Sequence, residues 1–359
     1  MIKAFFWSKK WCVWAYGSGA LLLGFLYAQV HMAVLLNTWR RDFFDLFATI
    51  DTRTLGEFWG SLGRFTWIAM LYVFFAIITS YLTRLYSLRW REAMTFEYIP
   101  RWREVREEIE GASQRIQEDT YRFAKIVEYL GLQVVNAFMT LAAFLPILWG
   151  LSQGISVPII QDVPGSLVWA AVITSVGGMI ISWLVGIKLP GLEYNNQKVE
   201  AAFRKELVYG EDDKVNFAAI PTLTALFTGI RSNSHRLFLH YGYFDLWFHV
   251  YNQFMYIMPF LFIGPNLFTK AVTLGMIMQI VDAFSQVHSS FALFIYNWTT
   301  VTELRSIRKR LREFEANLDK HSSPRRRHPA TVPRVFSRWR NPSEGPAVPT
   351  DGEARILEP

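Results

Sequence analysis

The sequence predicts an all-α membrane protein of six transmembrane helices with long cytoplasmic extensions. Three observations carry that prediction. Of 359 residues, 52% are hydrophobic and only 19% are charged, and the charges leave long silent runs. These are Trp11–Thr38, Phe65–Thr83, Tyr129–Gln161, Val163–Ile187 and Leu246–Thr269; a further run, Ala271–Thr302, is interrupted only by Asp282 and His288. A helix of about 20 apolar residues crosses a hydrocarbon core of about 30 Å, so each run is long enough to span. The second observation is where the basic residues lie. Lys3, Lys9 and Lys10 precede the first run, and Arg84–Glu128, Lys188–Asp245 and the C-terminal stretch are rich in arginine. Ser152–Gly165 has no Lys or Arg, and Gly264–Lys270 has only Lys270. The positive-inside rule then places both termini and the two long connections in the cytoplasm. One connection runs against it: Asn37–Arg64 carries Arg40, Arg41, Arg53 and Arg64, offset by Asp42, Asp45, Asp51 and Glu57. The third observation is that both long connections have helix-forming composition, so they extend the spans rather than form separate domains.

In chain order, residues 1–10 form a cytoplasmic N-terminus and residues 11–318 the six-helix transmembrane domain. Span one runs from Trp11 to about Leu36, with His31 in its second half. This apolar run exceeds a signal peptide's short core and has no clear small-residue cleavage site, so it reads as a retained anchor. An ionisable group inside a span is a functional candidate by default, although a packed histidine is the commoner case. Span two is Phe65–Leu82. The connection after it shows i,i+4 opposite charges such as Glu118–Arg122, and Pro100 predicts a turn or kink between two antiparallel helices. Span three lies within Leu130–Leu151, where Pro146 is tolerable if neighbours satisfy the freed carbonyl. A short outer turn with Pro158 and Pro164 leads to span four, about Leu167–Val185. Span five is about Asp245–Ile263. The last segment has no breaker from about Val272 to Leu318, so span six is expected to continue as one long helix. Beyond it, residues 319–359 are rich in proline and arginine, which predicts a disordered cytoplasmic tail.

The stretch VGIKLPGLEYNNQKVEAAFRKELVYGEDD, Val185–Asp213, is the most informative. As a helix from Leu192 to about Gly210, it sets Glu193 and Glu200 about 20° apart, with Arg204 on the same side. Glu211 rejoins that side only if the helix passes Gly210, and glycine usually ends helices. The carboxylates form a column about 27 Å long beginning at a membrane surface. A solvated face with a Glu200–Arg204 pair would give the same spacing. Asp282 and His288 lie six residues apart, about 120° off a shared face, and so read as separate cavity or intersubunit groups rather than a pair.

The missing chemistry matters as much. No Gly-Lys pair occurs, so this sequence has no phosphate-cradling P-loop, and no HExxH zinc motif occurs either. Nothing supports an enzyme, and no cofactor is expected. A single cysteine, Cys12, rules out an internal disulfide framework and a cysteine-based zinc cluster. The net charge of +7 follows the membrane topology rather than pointing to nucleic acid. Energy must then come from an ion gradient or a separate ATPase subunit. Short outer turns with two long inner helical excursions are the organisation of an exporter-type ABC transmembrane domain. Such domains work as pairs around a central cavity, so a homodimer is expected.

The blocks GIKLPGLEYNNQKVEAAFRKELVYGEDD, RWREAM, EGASQRIQEDTYRFA, MTLAAFLPIL and NWTTVTELRSIRKRLREFE resemble the SbmA/BacA family of bacterial peptide transporters. The resemblance runs from about Leu35 to Leu318. It implies an ABC-exporter-like homodimer without nucleotide-binding domains in the inner membrane. It further implies import of peptides, antimicrobial peptides included, driven by protons, with an influence on envelope lipids. A series of glutamates is implicated in proton coupling in that family. By motif, the resemblance carries this role onto Glu118 in QED, Glu128 after it, Glu200 in VEAA and Glu211 in GEDD, with Glu193 and Glu206 in the same signature. Where the familiar pattern has an acidic residue in the first core span, this sequence places His31. The expected partners are therefore a second copy, peptides, protons and membrane lipids. The alternative is a transmembrane subunit served by a separate ATPase.

Overall fold

A computed structural model describes residues 1–105, 109, 111–153, 155 and 163–321. The predicted disordered tail therefore lies outside the described residues, apart from its first three positions, which are helical. Among the described residues every regular element is a helix. The order is α1 (Ile2–Phe6), α2 (Cys12–Ala48), α3 (Leu55–Glu104), α4 (Ala112–Gln114), a π-turn (Arg115–Asp119) and α5 (Thr120–Leu151). Then come α6 (Ser166–Gly186), α7 (Leu189–Asp212), α8 (Ile220–Phe268), α9 (Leu274–Tyr296) and α10 (Trp298–His321).

Four helical stretches are long and apolar enough to cross a membrane: Cys12–Ala48, Leu55–Glu104, Ala112–Leu151 and Ser166–Asp212. They contain the first four predicted spans. The fifth and sixth, Asp245–Ile263 and the segment from Val272, fall in α8 and α9. On α3 the side chains of Trp67, Met70, Phe74, Ile77 and Tyr81 are all exposed, and they recur at helical spacing on one face. An apolar row of this kind is stable against lipid and not against water.

The long helices outrun the bilayer. At 1.5 Å per residue the 50 residues of α3 extend about 75 Å, so its second half projects beyond the apolar stretch. Thr54 caps its start by accepting the Glu57 amide at 3.4 Å. Pro100 does not mark the turn: α3 continues to Glu104, and the next described helix begins at Ala112. The last turn is held from outside. Tyr98 is fully buried and donates to Glu315 at 2.9 Å, and Arg101 bonds Asp319 at 2.6 Å. Gly111 restarts the chain at φ 69°, and α5 then carries Pro146 inside its span. At the other end of α5, Gly165 has φ 76°, and a Cβ there would lie 2.3 Å from the Trp149 ring. Glycine is the residue that permits both the conformation and the contact.

Two apolar clusters build the core. One, including Phe144, Leu148, Leu167, Ile263, Ile280, Phe284 and Val287, joins α5, α6, α8 and α9. The other joins α1, α3, α5 and α10, with Phe5, Trp90, Met94, Tyr98 and Phe123 meeting Ile307, Leu311, Phe314 and Leu318. The four α10 residues recur at i, i+4, i+7 and i+11, one stripe on an otherwise charged helix.

The last segment is not one continuous helix. It breaks at Asn297, whose backbone sits at φ −110°, ψ 14°. The Asn297 amide donates to Gln133 Oε1 at 3.0 Å and to the Leu293 carbonyl at 2.9 Å. The side chain thus ties the break to Gln133 on α5 and adds to the backbone bond that Asn297 makes to Leu293, and α10 turns onto α5.

Candidate functional site

The acidic stretch is a helix, α7, that runs two residues past Gly210. Helix termination at glycine is overridden by packing: a Cβ on Gly210 would meet the Ala218 Cβ at 2.5 Å, so the returning chain closes over this position. The α7–α8 turn is built from side chains. Asp213 accepts the amides of Val215 and Asn216 at 3.0 and 3.2 Å and the Asn216 side chain at 2.6 Å. Those bonds, led by the Asn216 side chain, hold its carboxyl below the usual range. Glu206 accepts the Ala218 amide at 3.0 Å, and Ala218 has φ 57°. Glu206 therefore shapes the turn. Along the hairpin, α7 packs on α8 through Phe203 against Phe227, with ring centroids 5.9 Å apart, and through Asn196 and Ser234 at 3.3 Å.

The other α7 carboxylates have different surroundings. Glu200 and Glu211 are exposed and Glu193 is half-buried. The ion pairs among the described residues include none of the three, and the spacing-based Glu200–Arg204 pair does not form. Glu193 lies close enough to Tyr241 that its charge, after burial and together with Asp245, raises the tyrosine's pKa.

Glu118 and Glu128 belong to the other hairpin. Glu118 pairs with Arg122 at 2.7 Å and accepts from Gln114 at 3.2 Å. Glu128, ten residues on, is half-buried and makes no ion pair among the described residues. Beside Glu118 lies a residue that spacing did not single out, Asp119, which is 1% exposed. Arg310 grips both of its oxygens, at 3.0 and 2.7 Å, and Arg115 adds a bond at 2.9 Å. Burial pushes the Asp119 carboxyl up, but the bonds and charges of Arg310 and Arg115 outweigh it and hold it below the ordinary range. An open cavity of about 390 Å³ beside this clasp is lined by Gln114, Arg115, Glu118, Asp119, Arg122 and Arg310. The π-turn at Arg115–Asp119 places Asp119 toward α10; such turns interrupt helices mostly at functional positions.

The three ionisable candidates within the spans are dispersed. His31 is exposed on α2, its ring stacked on Tyr27 with centroids 6.3 Å apart. Asp282 is paired with Arg40 and accepts from Asn37 at 2.8 Å. His288 Nδ1 lies 3.3 Å from the Tyr251 hydroxyl, which also reaches the Thr174 and Ser175 carbonyls at 3.3 Å. Gly178 makes room for that ring, since a Cβ there would come within 2.0 Å of it. The structure thus gives Asp282 and His288 separate partners. Among the described residues no group of three His, Cys, Asp or Glu is placed to hold a metal.

The profile of the SbmA/BacA-like family matches residues 8–319. The chain belongs to that family. This SbmA/BacA-like chain is also similar to the inner membrane ABC transporter ATP-binding protein YddA of Escherichia coli, 25% identical over 82% of the chain and 56% of the relative. An uncharacterized ABC transporter ATP-binding protein of Synechocystis is 24% identical over 90% of the chain and 49% of the relative. ABC transporter D family member 2, chloroplastic, of Arabidopsis thaliana is 24% identical over 81% and 41%. The chain spans about half the length of the curated relatives it matches. The relatives are named as ABC transporter proteins, and the long apolar helices make this chain a membrane protein.

Proposed function

We propose that this chain is a proton-gradient-driven importer of peptides, antimicrobial peptides among them, working as a homodimer of six-span subunits. It acts in a bacterial inner membrane with both termini cytoplasmic. The observation that carries this reading is the row of Glu193, Glu200 and Glu211 on α7, without a cation at ion-pair distance, beside a chain that has no P-loop. Carboxylates at a membrane surface can take a proton from one side and release it to the other when access switches. Glu128 extends the set, whereas Glu118 is already neutralised by Arg122 and Glu206 shapes a turn. The second copy is supported by α8, where Leu239, Tyr243, Leu246, Val250, Phe254, Ile257 and Leu261 form one exposed row. That row is about 33 Å long at 1.5 Å per residue, close to the thickness of a hydrocarbon core, and a second copy would cover it in place of lipid.

The test is uptake of a labelled peptide into liposomes holding only this protein, with a pH-sensitive dye inside. Uptake that follows an imposed proton gradient, and falls about tenfold or more in Glu200→Gln, supports the reading. Uptake unaffected by an ionophore overturns it. A second reading has its own observation: the match covers only 56% and 49% of two relatives named as ATP-binding. The chain would then be the transmembrane half of an ABC transporter, and transport would appear only with a separate ATPase and nucleotide.

A further inference from the structure

Between α2 and α9 lies a polar cluster that the proton-coupling reading does not use. Asn37 is fully buried, and its amide nitrogen donates to the Gln279 carbonyl at 2.9 Å and to Asp282 Oδ2 at 2.8 Å. These two acceptors fix the orientation of the amide, since the reverse assignment would set oxygen against oxygen. The Asn37 Oδ1 atom is then buried with no hydrogen-bond partner. Gln279, 5% exposed, has an Oε1 atom in the same condition. Gln279 and Asp282 are three residues apart and so share a face of α9. Two buried amide oxygens therefore lack a partner among the described residues, one on the side chain that donates to Asp282 and one on the residue three positions before it on α9, where buried polar atoms normally find partners.

Three oxygen-bearing side chains with one negative charge suit a small hard cation, which takes oxygen ligands. The single carboxylate favours a monovalent ion over a divalent one. The charge now opposite Asp282 is the Arg40 guanidinium, whose side chain is 40% exposed while that of Asp282 is 13% exposed. Arg40 can therefore leave toward solvent, and a monovalent ion taking its place keeps the local charge unchanged. A water molecule would satisfy the two amide oxygens, but it would not replace the guanidinium at the carboxylate. We propose that Asn37, Gln279 and Asp282 form a sodium-binding site in which Arg40 and the ion exchange for the same carboxylate. The opposite end of the interface is already fixed, because Asp45 accepts the Gly275 amide at 2.9 Å at the start of α9. Exchange at Asp282 would change how α2 is held to α9 while that cap remains in place.

The experiment is equilibrium binding of radioactive sodium to the purified full chain, with choline chloride keeping ionic strength constant. Saturable binding near one ion per chain is expected. Gln279→Leu removes one oxygen at similar volume and should weaken binding about tenfold or more. Arg40→Gln removes the competitor and should tighten it about tenfold, a direction that general damage to the fold would not give. No saturable binding by either the unaltered chain or Arg40→Gln, each monodisperse in detergent, would mean that the orphaned oxygens hold only water and would overturn the site. Equal binding by Gln279→Leu would overturn it too. Because binding alone is read, the result is independent of the Glu200→Gln uptake assay.

Discussion

Replacing Arg310 by methionine tests the clasp between α10 and α5. The methionine keeps most of the aliphatic stem against the Ile307–Leu311 stripe but removes the two bonds to Asp119 at 3.0 and 2.7 Å. Asp119 stays 1% exposed with Arg115 as its remaining cation. Truncating one partner of a fully buried pair costs about 3–5 kcal/mol. The retained Arg115 bond lowers that, and about 2–3 kcal/mol is expected, in line with hydrogen bonds to charged groups. At 1.4 kcal/mol per factor of ten, α10 amides should exchange with deuterium roughly 30- to 150-fold faster, with smaller changes in α9. Lys309→Ala is the control, because its pair with Glu313 spans 3.9 Å between exposed side chains and such pairs contribute little. The sign with pH also follows. Asp119 is held below its ordinary value, so its contribution is complete above the unfolded carboxylate range and is lost as pH falls through the depressed folded value. The Arg310→Met effect should therefore be equal at pH 6 and pH 8. Unchanged α10 exchange in Arg310→Met, or an effect that disappears between those two pH values, would refute the reasoning.

Two further outcomes follow from packing. Gly178→Ala puts a methyl where the Tyr251 ring stands, 2.0 Å from the built Cβ position, and overpacking of this kind costs about 1–3 kcal/mol; thermal unfolding in detergent should show a lowered midpoint. Asn297→Leu removes the bonds to Gln133 and Leu293 that hold the α9–α10 break. It should straighten the junction at a cost of about 1–2 kcal/mol, read as a longer spin-label distance from Lys309 on α10 to Gln114 beside the π-turn.

Four long apolar helices were legible because a bilayer requires about 20 apolar residues in a row, and charge-free runs of that length announce themselves. The α3–α5 hairpin and the helical nature of α7 were legible in the same way, from composition. What stayed hidden depended on contacts remote in sequence. Asp119 stands four residues after Arg115, an ordinary i,i+4 spacing, and nothing local points to Arg310, 191 residues away. Its signal was the basic run Arg305–Arg312 recurring with an apolar stripe, which marks a helix with a buried side as well as a solvated one. Asn297 is no helix breaker by propensity, and its role comes from Gln133 on another helix. Gly210 fails to end α7 because Ala218 folds back against it. Among the candidate glutamates, spacing could not separate Glu206, which accepts a backbone amide, from Glu200, which has no such partner.

The length of α8 has a mechanical consequence. From Ile263 back to Ile220 the helix is continuous, a rod of about 65 Å at 1.5 Å per residue. A tilt of only about 5° around its embedded end would sweep the far end through roughly 6 Å, about one helical turn. Because α7 is packed along that rod, its acidic side chains travel with it as cargo on a lever. A small rearrangement near Ile263, too slight to disturb the apolar packing there, is thereby magnified at the far end of the hairpin.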